Sequence, residues 1–562
     1  MTEKEHKIRF SKREMKRIER LAADGDDGGV FVIGRRKRSF FSLCSHAVLS
    51  LCIALVLIVG VGFVILRGGV TSNMLREEAQ KNLTRLLGDR ASASIGSAGL
   101  SLDQNSLVAL EALDVSISDP GQRIEIQNIK SVRLGLAPLP LLTGNVRVAE
   151  LEIDGAAFDL PEQEGAGFWK SLPYDKRGFV DFDALSDDLF SAMRRNLELL
   201  HDQNTKALSL RNTTVRFKAG DEQQSIEIRK LRLIEDAGRI KLDGTVVWNG
   251  KIIAVDGNID RKGDEDNELD SFKVNISNIP LDLGSSAAVA PIIDGNRVNP
   301  AHFELKGNAS LTLSGKTAHA EEPDTIGAEL AVDGIDMQLG RVEDVRGSAV
   351  LRLEHSVGSQ KIEVLPSRVQ LGGLQAQFNG AFGPDFQAQD AVSDPSYRFE
   401  ILTTSAISMP AESSDPPLSF GVRIAGSFLS KQQRIQFSNL DVQTASGELY
   451  GQGSIGFGSG SPEMIFMLRI PEMPVADAKH LWPIDVADGA RAWVLKNLFG
   501  GRLTDSRIEI SLAGGRFNGP GLPPPLTDEE IKADFNVEQT RFDVIGELPP
   551  VRDVNGTVSV RG

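Results

Sequence analysis

The sequence predicts a mostly β protein: one N-terminal transmembrane helix, then a long antiparallel sheet curved lengthwise into a groove, with a few helical interruptions. Three observations carry that expectation. Residues 39–66 form an uncharged, strongly apolar run. From about Ile95 the hydropathy alternates with period two almost to the end of the chain. Within that alternation a unit of apolar, any, Gly, any, apolar recurs, as at Leu242/Gly244/Val246, Val255/Gly257/Ile259, Leu305/Gly307/Ala309, Phe378/Gly380/Phe382 and Ile424/Gly426/Phe428.

The elements follow in order. Residues 1–38 are a basic tail with twelve Lys/Arg against seven Asp/Glu, which leaves 50 against 70 in the rest of the chain. An acidic body of that kind argues against a nucleic-acid partner. Arg35, Arg36, Lys37 and Arg38 stand directly before the uncharged run. At about 1.5 Å per residue that run reaches ~42 Å, enough for a ~30 Å hydrocarbon core with some tilt. It is too long for the apolar region of a cleaved signal peptide, and no convincing small-x-small cleavage site follows. Only Arg67, Arg76 and Lys81 fall in the stretch just after it, so the four-residue basic cluster acts as a topology signal and the tail is cytoplasmic. The large body is then exported. Both cysteines, Cys44 and Cys52, lie within the span, which leaves the body thiol-free, as suits an oxidising compartment.

Residues 67–160 read as a short helix from Ser72 or Asn73 to Gly88 and then the first strands. Residues 161–205 are a helical insertion, in which positions 181–201 place Leu185, Leu189, Met193, Leu197 and Leu200 on one face, predicted to plug or cap the sheet. Residues 206–480 are strand after strand with one apolar face, as at Ile240, Leu242, Val246 and Trp248 and again at Phe303, Leu305, Leu311 and Leu313. Glycine on that face removes a side chain where a sheet bends or where a neighbour comes close. Two architectures satisfy this: a sheet folded around an apolar groove, or stacked sandwiches with ordinary bulge glycines. Residues 481–502 form a helix from about Asp488 to the stop at Gly500 and Gly501, and residues 503–562 are further strands. At one strand per 12 to 15 residues, residues 95–562 would stack to at most about 150 to 190 Å.

Chemistry-bearing motifs are absent from the sequence. The seven histidines have no metal-ligand spacing. Gly451, Gly453 and Gly456 match a dinucleotide fingerprint, but a strand-like run follows where a helix would open. Gly315, Lys316 and Thr317 resemble the end of a P-loop, yet Ser310 stands where its first glycine belongs. No cofactor, metal or catalytic constellation is expected.

This order of elements is familiar. Residues 107–158, with Leu113, Val115, Ile117, Pro120, Ile124 and Ile126, resemble the opening of AsmA-like proteins. Trp482 and Pro483, then Arg491 and Trp493, then Gly501 are similar to the tryptophan-proline, arginine-x-tryptophan and glycine signature of the YhdP branch. The resemblance implies an inner-membrane protein of a diderm bacterium whose sheet crosses the periplasm and carries phospholipid towards the outer membrane. Chains of that branch are generally longer, so the resemblance also implies either a fragment of a longer protein or a truncated reading frame.

The sequence therefore supports a non-enzymatic lipid conduit with phospholipid and the inner membrane as partners. Ile240, Leu242, Val246, Trp248, Phe303, Leu305, Leu311 and Leu313 are the candidate groove lining. Trp482 and Trp493 are expected to wedge their helix against the sheet. The alternative is a membrane-anchored scaffold that recruits outer-membrane or other envelope proteins by strand addition, without lipid.

Overall fold

The computed structural model describes residues 92–101, 109–119, 124–136, 148–159, 172–202, 206–219, 222–236, 239–262, 268–283, 292–293, 296–297, 303–318, 322–339, 345–386, 395–410, 413–457, 461–482, 488–516, 525–543 and 549–561. The expected tail with Arg35, Arg36, Lys37 and Arg38, the span at 39–66, the helix after it and Pro483 lie outside these residues. Among the described residues no helix is long and apolar enough to cross a membrane.

The chain enters through an antiparallel meander of β1 (Ser92–Ser101), β2 (Ala109–Asp119) and β3 (Ile124–Leu136). Its next strand is broken into β4 (Val148–Asp154) and β5 (Ala157–Asp159) at Gly155, whose φ of +71° an L side chain rarely adopts. Both pieces pair antiparallel with β3 and parallel with β6 (Ala207–Ala219). Parallel neighbours cannot be joined by a tight turn and need a crossover. Helix α1 (Phe182–Asp202) is part of that crossover.

From β6 onward the sheet is antiparallel throughout. It continues through β7 (Glu222–Asp236), β8 (Arg239–Trp248), β9 (Lys251–Arg261) and β10 (Leu269–Leu283). A small separate hairpin, β11 (Ile292–Ile293) and β12 (Asn296–Arg297), precedes β13 (Phe303–Lys316), which pairs with β10. Next come β14 (Thr325–Leu339), β15 (Val345–Ser356), β16 (Ile362–Leu371), β17 (Leu374–Pro384) and β18 (Ser396–Ser408). Then follow β19 (Leu418–Leu429), β20 (Arg434–Thr444), β21 (Glu448–Gly456) and β22 (Glu463–Pro474).

After β22 the chain leaves the sheet for α2 (Val475–Leu481), α3 (Asp488–Asn497) and the short β23 (Leu498–Phe499). It returns as β24 (Arg502–Leu512) beside β22, then β25 (Ile531–Phe542) and β26 (Val551–Arg561). In all, 24 of the described strands form one sheet. The sandwich alternative is not what these strands build, since nearly every strand is bonded to its sequence neighbours. The helical segment also begins earlier than expected and is two helices. Pro474, which cannot donate a ladder hydrogen bond, ends β22 and caps α2.

Bulges interrupt many strand pairs, for example between Ile276 and Ile279 and between Val332 and Ile335, yet each restores the alternation. Following register partners from Leu100 to Val560 meets Leu110, Leu134, Leu151, Leu208, Leu233, Leu242, Gly257, Val274, Leu313, Ala328, Leu353, Val364, Gly380, Ile401, Ile424, Leu440, Gly451, Leu468, Ile508 and Ala533. Every member is apolar or glycine. One inter-strand step is about 4.8 Å, so this row runs for about 100 Å along the sheet. That is shorter than the length expected from sequence, because the strands and their loops use more residues per step.

Helix α1 lies across strand ends on the apolar face. Asp181 caps it, its Oδ1 accepting from the Ala184 N–H at 2.9 Å. Phe179, just before the helix, packs edge-on against Phe386 and Tyr397, and Phe182 lies 5.7 Å from the His355 ring and 6.4 Å from Phe382. Further along, Phe190 meets Phe272 at 5.7 Å and closes a core with Ile240, Ile259 and Leu269. The expected apolar face was rotated: Leu189 and Met193 pack on this core, but Leu185 is 43% exposed and Phe182, Ala184 and Phe190 point inward instead.

Candidate functional site

Two regions of the apolar face differ in how they are covered. Between α1 and α2 the side chains have neighbours within the sheet, and among the described residues no helix is packed over them. Leu311, Leu313, Leu351 and Leu353 are only half-buried, and Leu330 is 40% exposed. The opposite face carries charge, including the pairs Lys230 with Asp243 at 2.6 Å, Lys241 with Asp236 at 2.8 Å and Arg423 with Glu400 at 2.8 Å. The asymmetry follows from the period of two: one face must be dry or find a hydrocarbon partner, and the other is wet.

The expected lining residues do not share one environment. Ile240, Leu242, Val246 and Trp248 alternate on the apolar face of β8 as the sequence reading has them. Ile240, however, is fully buried beneath Phe190, so α1 occupies that point of the face. Leu311 and Leu313 on β13 pair in register with Ile276 and Val274 on β10 and remain half-buried. Phe303 and Leu305 pair in register with Leu339 and Met337.

Glycines on this face mark close approach of neighbouring backbone. A Cβ added at Gly257 would lie 2.4 Å from the Lys273 carbonyl oxygen, and one at Gly426 would lie 2.0 Å from that of Gln436. A row of alternating phenylalanine and glycine uses the same device. Phe399, Gly426, Phe437, Gly453 and Phe466 are successive register partners, and the rings meet over the glycines at 6.0 and 5.7 Å.

The second region lies under α2 and α3. These helices fold over the apolar face of β20 to β26 and leave a cavity of about 540 Å³ beneath them. Its floor includes Val442, Leu468, Leu503, Ile508, Ala533 and Val558, and its roof includes Ala478, Leu481, Trp482, Trp493 and Val494. The roof is tied down from below. The Lys479 ammonium is almost fully buried, pairs with Asp415 at 2.6 Å and donates to the Leu498 carbonyl at 2.9 Å. The Thr444 hydroxyl reaches Asp477 at 2.6 Å, and the Ser408 hydroxyl donates to the His480 carbonyl at 3.0 Å. The His480 ring is buried with no partner for either nitrogen among the described residues, and burial holds its pKa below the ordinary imidazole value.

The signature residues gather around this roof. Trp482 tilts against Phe535 at 6.2 Å. Arg491 is buried and its Nε donates to the Trp482 carbonyl at 3.4 Å, tying α3 to the end of α2. Gly501 has φ of +71°, and a Cβ there would lie 2.3 Å from the Glu538 carbonyl oxygen, so glycine is needed on both counts. Trp493 departs from expectation. Its side chain is not wedged into the sheet but lines the cavity while remaining 44% exposed.

The remaining cavity residues were not found from sequence because residues 440 and 560 are brought together only by strand pairing. Lys479 carried no signal either, since a lysine in a short helix ordinarily faces water. Among the described residues no group of three or more His, Cys, Asp or Glu side chains is arranged to hold a metal ion. Comparison of the chain with protein families, with curated proteins and with solved structures finds no match.

Proposed function

We propose that this chain is an inner-membrane-anchored conduit that carries phospholipid along its apolar sheet face through the periplasm, with no chemistry of its own. The observation that carries the reading is the unbroken apolar row from Leu100 to Val560, whose members between the two helical regions are, Val364 apart, only half-buried. A burial worth about 0.8 kcal/mol per methylene holds an acyl chain firmly in sum but weakly at any one strand. Each step along the row offers an equivalent apolar contact, so a chain can advance without leaving hydrocarbon. Head groups stay at the polar margin.

Curvature of the sheet towards this face is part of the proposal, and two features support it. Phe182 and Phe190 are eight residues apart, about 12 Å along a helix, yet they touch β17 and β10, which are five steps or about 24 Å apart in a flat sheet. A sheet bent around the helix reconciles the two distances. The close backbone approaches at Gly257 and Gly426 lie on this same face, where a sheet bending towards it would bring neighbouring strands together. Anchorage and export are supported by the basic cluster, the uncharged run and the confinement of both cysteines to that run.

The scaffold alternative has its own observation: among the described residues β1 and β26 are each hydrogen-bonded along one edge, by β2 and β25, and strand addition would use the other edge of such a strand. Lipid content separates the two. The full chain, extracted in mild detergent and purified, should retain phospholipid detectable by mass spectrometry. A folded, monodisperse preparation free of phospholipid would favour the scaffold.

A further inference from the structure

We propose that α2 and α3 roof a preformed pocket that takes the linear hydrocarbon tail of a membrane lipid, a dwell site distinct from the open sheet face; this rests on the lipid-carrying reading. The chemistry of the lining selects the occupant. Of the polar groups in the cavity wall, Lys479 is committed to Asp415 and the Leu498 carbonyl, and the Thr540 hydroxyl donates to the Val554 carbonyl at 3.3 Å. The rest of the wall is aliphatic or aromatic, with the Met473 thioether and the two indoles of the roof as its other heteroatoms. A polar head group brought inside would lose its water and find nothing to replace it.

Shape agrees. The floor runs from β20 to β26, five inter-strand steps or about 24 Å, whereas a tail reaches about 15 Å, half of the ~30 Å hydrocarbon core of a bilayer. The roof is held by the buried Lys479–Asp415 pair and by the hydrogen bonds from Thr444 and Ser408, so the pocket exists before a tail enters and little order has to be imposed on binding. Trp493 stands on the roof with one side on the cavity and the other exposed. An aromatic ring with a polar N–H suits that boundary between tail and head group.

The test uses the full chain in vesicles of phosphatidylethanolamine and phosphatidylglycerol, with free palmitic acid added in a second arm. A benzophenone side chain is placed at Val494 on the roof, at Leu313 on the open face or at Glu509 on the outer face. Adducts at Val494 but not at Glu509 are expected, and their mass tells phospholipid from fatty acid; either supports the pocket. Filling the floor with Ala533→Phe excludes about two methylenes and should lower the Val494 yield about tenfold while leaving Leu313 unchanged. Ala478→Phe fills the roof side independently, should the first variant not fold. Labelling at Leu313 with none at Val494 would overturn the pocket and leave the conduit standing. Labelling at Val494 alone would support the pocket and sink carriage along the open face. A peptide adduct at Val494, or labelling at neither site, would overturn the pocket.

Discussion

Lys479 shows how single residues hold this molecule together. Its ammonium is 1% exposed and opposes Asp415, which is 15% exposed, so both charges have left water. Removing one partner strands the other, and Lys479→Ala should cost about 3 to 5 kcal/mol in denaturant unfolding. The double variant Lys479→Met with Asp415→Leu should recover most of that loss, because the desolvation cost goes with the charges. Two histidines give opposite responses to pH. Burial pulls the His355 imidazole down, but hydrogen bonds to Asp183 at 3.1 Å and to the Lys361 carbonyl, with the charges of Asp183 and Asp181, outweigh it and hold its pKa above the ordinary value. Its contribution is therefore complete below about pH 6.5 and fades as pH rises through the folded value. For His480 burial dominates over the nearby carboxylates of Asp415 and Asp477, so the unfolded chain takes the proton first. Stability is then lost as pH falls below about 6.5. Thermal unfolding between about pH 5 and 8 should show His355→Gln flattening the alkaline side and His480→Leu the acid side.

Among the elements, α1 ties distant strands together. Phe190 is 1% exposed between the helix and β8 to β10. Phe190→Ala should cost about 3 to 5 kcal/mol, since nothing nearby can collapse into the space of the ring. In a sheet whose strands touch mainly their neighbours, the loss should stay local. Amide exchange should accelerate in α1 and β8 to β10 and remain unchanged in β20 to β26. A uniform acceleration would mean that the sheet unfolds as one unit. What the sequence made legible here was periodicity. The alternation at Ile240 to Trp248 and at Phe303 to Leu313 marks strands because a period of two survives any pairing partner. The helix faces were less legible. Leu185 and Leu189 share a helical spacing, but the orientation of α1 is decided by Phe182 and Phe190 meeting His355 and Phe272, contacts made with strands more than eighty residues away.

At the scale of the whole molecule, the apolar row is a property of register, and register is invisible in any one strand. Each bulge shifts the pairing by a residue, and an uncorrected slip would turn a strand's apolar side chains to the charged face. The row from Leu100 to Val560 therefore required every bulge to be resolved, which periodicity alone does not do. The cavity under α2 and α3 was hidden for the same reason, while its signature residues Trp482, Arg491, Trp493 and Gly501 were visible as a motif without a geometry. The central claim is that hydrocarbon travels along this row, and labelling in the cell tests it most directly. Photocrosslinking side chains at Leu242, Leu313, Ile424 and Leu468 should each capture phospholipid, and those at the outward-facing neighbours Lys241, Arg423 and Arg469 should not. Equal labelling of the two faces, or none on the apolar face, would contradict the account.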